Sequence, residues 1–339
     1  MKQFIRARAP LRLSFSGGGT DVSPYPEERG GVVLSSTIDK FCYATVRPRR
    51  DSRLTLHSLD LHLTAKYGHL RAVRLDGNLD LVKAAVKAVK PRSGADVSVQ
   101  SDAPPGSGLG ASSTMVVTLL AALREWLHAP LTDYELAEAA YALERHDLGI
   151  AGGRQDQYAA TFGGFNFIEF HADATVVNPL RVREDVRLEL EYRLLLCYVG
   201  RTRFSGHIIE RQTAAYQAGR EETVRALDGL KSITYDMKNA LLRGKIDDMG
   251  ALLHTAWQHK RDLEEHISTP EVDDLYERAR KAGALGGKMP GAGGGGYFFF
   301  LCAADKKPHV AEVVRAWGAQ LVPVSFCPVG VTAWQTPGR

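Results

Sequence analysis

The strongest chemical signal in the sequence is a run of glycines and serines at residues 104–114, Pro-Pro-Gly-Ser-Gly-Leu-Gly-Ala-Ser-Ser-Thr. Glycine has no Cβ atom, so the backbone can turn tightly there and approach a ligand closely. A buried helix is predicted to begin at Ala111, and the first N–H groups of a helix attract anions because they have no partner within it. We therefore predict that residues 106–113, the central loop, hold a chain of phosphates; the alternative is a tight turn with a serine cap.

The central loop does not match two better-known phosphate motifs. Gly106, Gly108 and Ala111 have the spacing of the dinucleotide-binding fingerprint, but that motif needs a second strand with a terminal acid, and a helix after Thr132 is predicted there instead. The Walker A pattern fails elsewhere in the chain, because Lys288 is followed by methionine rather than serine or threonine. The central loop instead offers serine hydroxyls at 112 and 113, which could reach a phosphate or a Mg²⁺ ion.

Two further glycine clusters are predicted to contact substrate. In residues 9–21, a strand carries Arg12 and ends in the N-terminal glycine turn, residues 17–19, before Asp21. The carboxylate of Asp21 could accept hydrogen bonds from sugar hydroxyls. The C-terminal glycine loop, residues 286–296, precedes an aromatic strand, where so many glycines would cost entropy unless backbone amides were needed. The alternatives are a solvated turn for the first cluster and a flexible surface loop for the second.

The spacing of apolar residues predicts a mixture of strands and helices that would position these clusters. Predicted strands cover 11–15, 31–38, 42–47, 53–59, 61–66, 95–100, 165–170, 297–301 and 321–326, and one or two strands cover 187–199. Predicted helices cover 79–90, 111–128, 132–147, 269–283 and 308–317, and three more occupy 205–266. The pattern changes near residue 185, so we predict one domain over 1–185 and a second over 186–339.

Composition excludes several classes of protein. Hydrophobic residues make up 44% and charged residues 24% of the 339 residues, which is typical of a globular chain. A net charge of +4 gives no reason to expect a nucleic-acid partner. Apolar stretches are too short for a membrane span, and charge interrupts the N-terminus before a signal peptide could form. The four cysteines are far apart, as in a reducing cytoplasm. A homodimer is expected only on general grounds.

Taken in order, the three glycine clusters resemble those of the GHMP kinase family, which includes galactokinase, homoserine, mevalonate and phosphomevalonate kinases. The central loop is similar to the family signature P-x-G-x-G-L-G-S-S, with Ala111 at the position of the first serine. The resemblance implies an α+β, two-domain fold with an N-terminal α/β domain, a ferredoxin-like C-terminal domain, and ATP and substrate in the cleft between them. Residues 9–21, 30–33, 152–158 and 282–296 look closest to bacterial sugar 1-kinases.

The resemblance also implies roles for individual residues. ATP would be bound by Pro105, Gly106, Ser107, Gly108, Leu109, Gly110, Ala111, Ser112 and Ser113, and Mg²⁺ by Ser112 and Glu144. Asp156 would act as the general base, and Arg12 beside it would keep the carboxylate ionised. The sugar would contact Gly18, Gly19, Thr20, Asp21, Arg154, Gly293 and Gly294.

The implied reaction is ATP-dependent phosphorylation of an anomeric hydroxyl. D-glycero-D-manno-heptose 7-phosphate is the expected acceptor, for nucleotide-heptose and surface polysaccharide synthesis. Fucose or another unphosphorylated sugar is the alternative, and a non-catalytic sensor is disfavoured because the four implied catalytic and metal residues are all present. The candidates for binding a distal phosphate are Lys40, Arg154, Arg201, Arg203 and Lys288.

Overall fold

The computed structural model of the protein describes residues 3–129, 131–200 and 205–337. One sheet is built mainly from the first half of the chain. Its strands are β1 (Gln3–Ser16), β2 (Gly31–Pro48), β3 (Leu54–Ser58), β4 (Leu63–Tyr67), β5 (Ala95–Ser101), β6 (Phe165–Phe170), β7 (Thr175–Pro179) and β12 (Thr332–Pro337). Among the described residues they lie in the order β12–β1–β2–β5–β3–β4, with β6 beside β2 and β7 beside β6.

Helices associated with this sheet are α1 (Tyr25–Arg29), α2 (Asp80–Val89), α3 (Ala111–Leu127), α4 (Asp133–Ala142) and α5 (Gln155–Phe162). Helix α3 is buried along most of its length against β1 and β2, as its apolar composition predicts. The predicted start of α4 is confirmed, because the Thr132 hydroxyl accepts from the Glu135 amide and the Glu135 carboxylate accepts from the Thr132 amide.

The second sheet belongs to the second half of the chain. Its antiparallel strands are β8 (Leu194–Tyr198), β9 (Ala284–Lys288), β10 (Tyr297–Cys302) and β11 (Gln320–Val322), in the order β11–β8–β10–β9 within the described residues. The helices of this region are α6 (Glu184–Arg193), α7 (Ser205–Gln217), α8 (Glu221–Leu242), α9 (Ile246–Asp262), α10 (Pro270–Ala282) and α11 (Lys307–Trp317). The arrangement confirms the predicted α+β class.

Part of the C-terminal glycine loop serves packing rather than ligand contact. A Cβ atom on Gly286 of β9 would lie 2.3 Å from the Gly250 carbonyl oxygen, and one on Gly250 would lie 2.5 Å from Leu285. These contacts bring α9 directly onto β9. This close approach explains Gly286, whereas a Cβ atom on Gly287 would lie 2.6 Å from the Phe299 carbonyl oxygen of β10, and the glycines beyond Pro290 form the loop near the cleft.

The prediction of strands over 187–199 is wrong in its first half, which forms α6. Val186 and Leu190 are buried four residues apart, whereas the apolar Leu188 and Tyr192 are exposed. The alternation of apolar residues therefore does not report burial. Arg187 also pairs with Glu184 and Glu191, one turn away on either side, which favours a helix.

Other differences arise from long-range pairing. The two strands predicted over 31–47 form the single strand β2, and Asp39 and Lys40 lie where its partner changes from β6 to β5. Strands β7, β9 and β12 were not predicted, and the strand predicted at 321–326 is limited to β11 and one bridge between Ile38 and Phe326. The predicted domain boundary at 185 falls in the first turn of α6, and it stays a prediction. No described helix combines the length and apolar character needed to span a membrane.

Candidate active site

A cleft with about 950 Å³ of open space is lined by residues from both halves of the chain. All three glycine clusters contribute to it, with Gly18 and Gly19, then Gly106, Gly108 and Gly110, then Gly291 and Gly293. The last two clusters touch directly, since a Cβ atom on Gly291 would lie 2.6 Å from the Cα atom of Gly108. Helices α7 and α9 add Ile209, Gln212 and Lys260 to the walls.

Arg12 joins three segments at the centre of the cleft. Strand β1 carries it next to a register shift against β2, and its side chain is 3% exposed. The guanidinium donates to Oδ1 of Asp156 through Nε at 2.7 Å, with Nη2 2.6 Å from the same oxygen, and donates through Nη1 to the Gly108 carbonyl at 2.6 Å. Charge-assisted bonds of this length fix both the carboxylate and the central loop.

Asp156 lies in the first turn of α5 and contacts the end of the central loop. A Cβ atom on Gly110 would lie 3.1 Å from Cγ and 3.3 Å from Oδ2 of Asp156. Gly110 has φ +78° and immediately precedes α3. Glycine is therefore required at position 110 both by the left-handed backbone and by the close approach of the Asp156 carboxylate. The arrangement sets a carboxylate beside the free N–H groups at the start of a buried helix.

The central loop divides into residues that face the cleft and residues that anchor the loop. Gly106, Gly108, Gly110, Ala111, Ser112 and Ser113 line the cleft. Ser107 and Leu109 are buried; the Leu109 carbonyl accepts from the Arg12 amide, and the Ser107 carbonyl accepts from the Tyr297 amide. Pro105 does not line the cleft and faces a second cavity, which it shares with Tyr198.

Glu144 lies in a π-helical turn, Leu143–Asp147, that continues α4, and its side chain is 1% exposed. The Gln157 side-chain amide donates to Oε2 of Glu144 at 2.5 Å and to Oγ of Ser113 at 3.1 Å. Burial raises the pKa of Glu144, while the positive charge of Arg145 opposes that shift. Gln157 thus links Ser113, a predicted phosphate contact, to Glu144, a predicted metal ligand.

Asp21 is held with its carboxylate inside the cleft. Its Oδ1 accepts from the Gly19 amide at 2.9 Å, and its Oδ2 accepts from the amide and the side-chain nitrogen of Gln155, each at 3.1 Å. A Cβ atom on Gly153 would lie 2.0 Å from Oδ2, so glycine at position 153 allows this approach, whereas one on Gly152 would lie 2.4 Å from the Arg145 guanidinium. The turn from β1 and the start of α5 therefore meet at one carboxylate.

Three of the sugar-contact residues expected from the resemblance do not line the cleft. The Thr20 hydroxyl is fully buried and bonds to the Gly17 and Val32 carbonyls, so it holds the turn. Arg154 forms an ion pair with Glu27 and donates to the His171 carbonyl. Gly294 donates its amide to the Ile267 carbonyl. These residues stabilise the walls around Asp21 and the C-terminal glycine loop.

The candidate cations for a distal phosphate are not gathered in the cleft. Lys40 lies 3.8 Å from Asp39, Arg154 is paired as described, and Lys288 is buried and does not line the cleft. Arg201 and Arg203 lie outside the described residues. Lys260, which is not among these candidates, lines the cleft instead.

A sequence signal for Lys260 does exist. The buried face of α9 consists of Ile246, Met249, Gly250, Leu253, Ala256, Trp257 and Lys260, at helical spacing. A lysine at a core position of an amphipathic helix is unusual, because lysine is rarely buried unless it is paired. Gln155, Gln157 and Arg145 were also missed, although all three flank glycines or acids that were recognised.

Comparisons with known proteins agree with this architecture. Residues 80–164 match the model of the GHMP kinases N terminal domain, and residues 237–322 match that of the GHMP kinases C terminal region. A protein of Campylobacter jejuni named D-glycero-alpha-D-manno-heptose 7-phosphate kinase is 38% identical over 98% of this chain and 99% of its own length.

A solved structure, described as a D-glycero-D-manno-heptose 1-phosphate kinase from Bacteroides thetaiotaomicron, superimposes with a TM-score of 0.80. It is 33% identical, and the alignment covers 98% of this chain and 100% of that one. The L-fucokinase/L-fucose-1-P guanylyltransferase of Bacteroides fragilis is 27% identical over 86% of this chain but only 34% of its own length. Because both family models match and a full-length relative is 38% identical, the chain belongs to the GHMP kinase family, whose members use ATP as phosphoryl donor.

Proposed function

We propose that this chain transfers the γ-phosphoryl group of ATP to the anomeric hydroxyl of D-glycero-D-manno-heptose 7-phosphate. The product is the 1,7-bisphosphate, an intermediate suited to nucleotide-heptose and surface polysaccharide synthesis. The names of the Campylobacter jejuni and Bacteroides thetaiotaomicron relatives both contain a heptose phosphate, and both align with nearly the whole of this chain. That similarity supports a heptose phosphate over an unphosphorylated hexose.

The observation that carries the proposal is the contact between Asp156 and the central loop. Oδ1 of Asp156 is occupied by Arg12, whereas Oδ2 faces the position where a Cβ atom of Gly110 would lie. A hydroxyl bonded to Oδ2 would sit next to phosphates held on the loop, so the two reactants would be adjacent. Asp156 would accept the hydroxyl proton, and Arg12 would offset charge on the transferred group.

Ser112 and Glu144 are suited to hold a Mg²⁺ ion. Magnesium prefers oxygen ligands, and both residues offer oxygen atoms to the cleft next to the start of α3. Burial raises the pKa of Glu144, and a cation beside the carboxylate would favour its ionised form. The ion would supply positive charge to the β- and γ-phosphates. Ser113, whose hydroxyl is bonded to Gln157, would hold the shape of the site.

Asp21 and its surroundings would bind the sugar ring. The carboxylate accepts three hydrogen bonds from Gly19 and Gln155, which leaves acceptor capacity for a sugar hydroxyl. Gly18, Gly19 and Gly293 offer backbone without side chains at the same wall. These contacts would orient the anomeric hydroxyl toward Asp156.

The test is a panel of acceptors with Mg·ATP, read by ADP release and by ³¹P NMR of the product. Heptose 7-phosphate should give a new anomeric phosphate signal and the highest kcat/KM. The matched acceptors are unphosphorylated heptose, fucose and galactose. The Asp156→Asn variant should lose about 10²-fold or more in kcat while still binding ATP, whereas Asp185→Asn, an exposed aspartate of α6, should not. Preference for an unphosphorylated sugar, or full turnover by Asp156→Asn, would contradict the proposal.

A further inference from the structure

Two lysines near Asp21, Lys260 in the cleft wall and Lys288 outside it, are buried, and neither forms an ion pair with a carboxylate of the described residues. Lys260 is 4% exposed, lines the cleft, and donates a hydrogen bond to the Gly18 carbonyl at 3.2 Å. Lys288, the last residue of β9, is 2% exposed, and its ammonium group forms no hydrogen bond or ion pair with any residue that the structure describes, although its backbone pairs with Phe299 of β10. A buried ammonium group is costly unless an anion balances it.

A third buried lysine shows what a balanced environment looks like in this chain. Lys83 is fully buried in α2, and its Nζ lies 2.5 Å from Asp76 and 3.4 Å from Asp80. Hydrogen bonds to these carboxylates raise the pKa of Lys83 against the effect of burial. By contrast, burial lowers the pKa of Lys260 to about 8 and that of Lys288 well below its usual value.

The charges around the two lysines leave the acceptor side of the cleft short of negative charge. Asp21 raises the pKa of both lysines, whereas Arg12 lowers both, and Lys260 lowers that of Lys288. Asp156 is already bonded to Arg12. One carboxylate, Asp21, therefore faces two lysines, and both of its oxygens already accept other hydrogen bonds.

We propose that Lys260, backed by Lys288, forms the subsite that binds the phosphate monoester of the acceptor. This inference rests on the proposed function and adds the residue that would select a phosphorylated sugar. The dianion would accept hydrogen bonds from Lys260, which uses one of its three donors on Gly18. The charge of Lys288 would be favoured once the anion is present.

The phosphate bound by Lys260 could in principle be the γ-phosphate of ATP, but the contacts of Lys260 favour the phosphate of the acceptor. Its hydrogen bond goes to the N-terminal glycine turn, and the carboxylate that raises its pKa is Asp21. Both belong to the segment that would hold the sugar rather than to the central loop. An acceptor phosphate is therefore the source to which the proposal commits.

The decisive experiment compares heptose 7-phosphate with unphosphorylated heptose for the wild type, Lys260→Met and Lys288→Met. The ratio of kcat/KM for the phosphorylated over the unphosphorylated acceptor should fall about 10- to 100-fold in Lys260→Met, and the KM for ATP should stay within about threefold. Lys245→Met, an exposed lysine just before α9, is the matched control and should keep the wild-type ratio. An equal loss on both acceptors, or a loss confined to ATP, would overturn the proposal.

A second measurement separates failure of the subsite from failure of the proposed function. Calorimetric titration of the wild type with heptose 7-phosphate in two buffers should show proton uptake, which Lys288→Met should reduce. If the wild type binds the sugar phosphate with proton uptake but does not phosphorylate it, the proposed reaction fails while the subsite stands. If the wild type discriminates between the acceptors and Lys260→Met discriminates equally well, the subsite fails while the reaction stands. Replacing a buried lysine by methionine should not lower Tm. A lowered Tm would therefore identify a misfolded variant independently of its kinetics.

Discussion

At the scale of single residues, the cleft depends on buried amides that fix the orientation of charged groups. Gln157 is fully buried, and its single side-chain nitrogen bonds to both Ser113 and Glu144. With the Ser113 hydroxyl engaged in this way, Ser112 would be the serine that faces the metal ion of the proposed site. Gln157 follows Asp156 directly, so the first turn of α5 would hold the proposed base on one side and the proposed metal site on the other.

The Gln157→Leu substitution should weaken metal binding while leaving the sugar side intact. Without the amide, Glu144 loses a donor inside a desolvated site, so its ionised form is disfavoured and its orientation is lost. Partners of this kind typically change metal affinity about 10- to 100-fold. Electron paramagnetic resonance of Mn²⁺ added to the ADP complex measures that affinity directly.

The Ser113→Ala substitution is the matched control for Gln157→Leu, since it removes the Ser113 hydroxyl, which also favours the ionised form of Glu144, and keeps the amide bond to Glu144. Its loss of Mn²⁺ affinity should be smaller. Unchanged Mn²⁺ affinity in Gln157→Leu would show that the amide only fills space. A raised KM for the sugar with normal metal binding would reassign Gln157 to the acceptor side.

Most site residues that could be identified from the sequence lie beside glycine clusters, whereas Lys260, which was missed, lies within a regular helix. Arg12, Asp156, Asp21 and Ser112 lie beside glycine clusters, and the chain needs glycine where a ligand or carboxylate comes close. Lys260 lies in a regular helix, more than 100 residues along the chain from each of these residues. Its core position in α9 marks it as an unusual lysine, but its place in the cleft depends on tertiary packing of α9, which local sequence does not report. Thr20 shows the reverse case, a polar residue in the motif whose hydroxyl supports the turn.

At the scale of elements, the join between the central loop and α3 sets the position of the proposed base. Gly110→Ala adds two penalties, a left-handed backbone at φ +78° and a methyl group 3.1 Å from Asp156. Gly219→Ala, after α7, adds only the first, because φ is +69° and a Cβ atom there would meet no described atom within 4 Å. Both should lose about 1 kcal/mol of stability from the backbone.

Only Gly110→Ala should also lose activity, by about tenfold in kcat, because Asp156 must shift by a few tenths of an ångström. Thermal unfolding and steady-state kinetics on the two variants separate the effects. Equal kcat values in both variants would mean that Asp156 tolerates displacement and is not positioned by this loop.

Elements were predictable where burial follows the apolar pattern and unpredictable where it does not. Helix α3 and strand β6 were found because nearly every apolar residue in them is buried. Helix α6 was read as strand because Leu188 and Tyr192 remain exposed. Strand β9 was not predicted because glycine has a low strand propensity. Gly286 and Gly287 lie in it because they allow close contact with α9 and β10.

At the scale of the whole molecule, each half of the chain depends on the other. Tyr297 donates to Ser107, Gln212 to Gly19, and Lys260 to Gly18, so the cleft exists only where late and early segments meet. The end of the described chain returns to the first sheet, where β12 pairs antiparallel with residues 3–8 of β1. No local pattern could have indicated that partner, since the two strands are more than 300 residues apart.

Removing residues 332–339 should therefore destabilise the sheet that carries Arg12. The truncation leaves the backbone groups of Gln3 to Arg8 without their β12 partners and exposes the buried Ile5 and Ala7. A lost ladder bond costs about 0.5–1.5 kcal/mol net, so several together should lower Tm by many degrees, and an open edge favours association. Calorimetry and light scattering measure both effects.

A variant ending at Pro337 keeps β12 and serves as control, and it should unfold like the full chain. An unchanged Tm after loss of 332–339 would mean that β1 is held by β2 alone, and that the early and late halves are coupled only through the cleft.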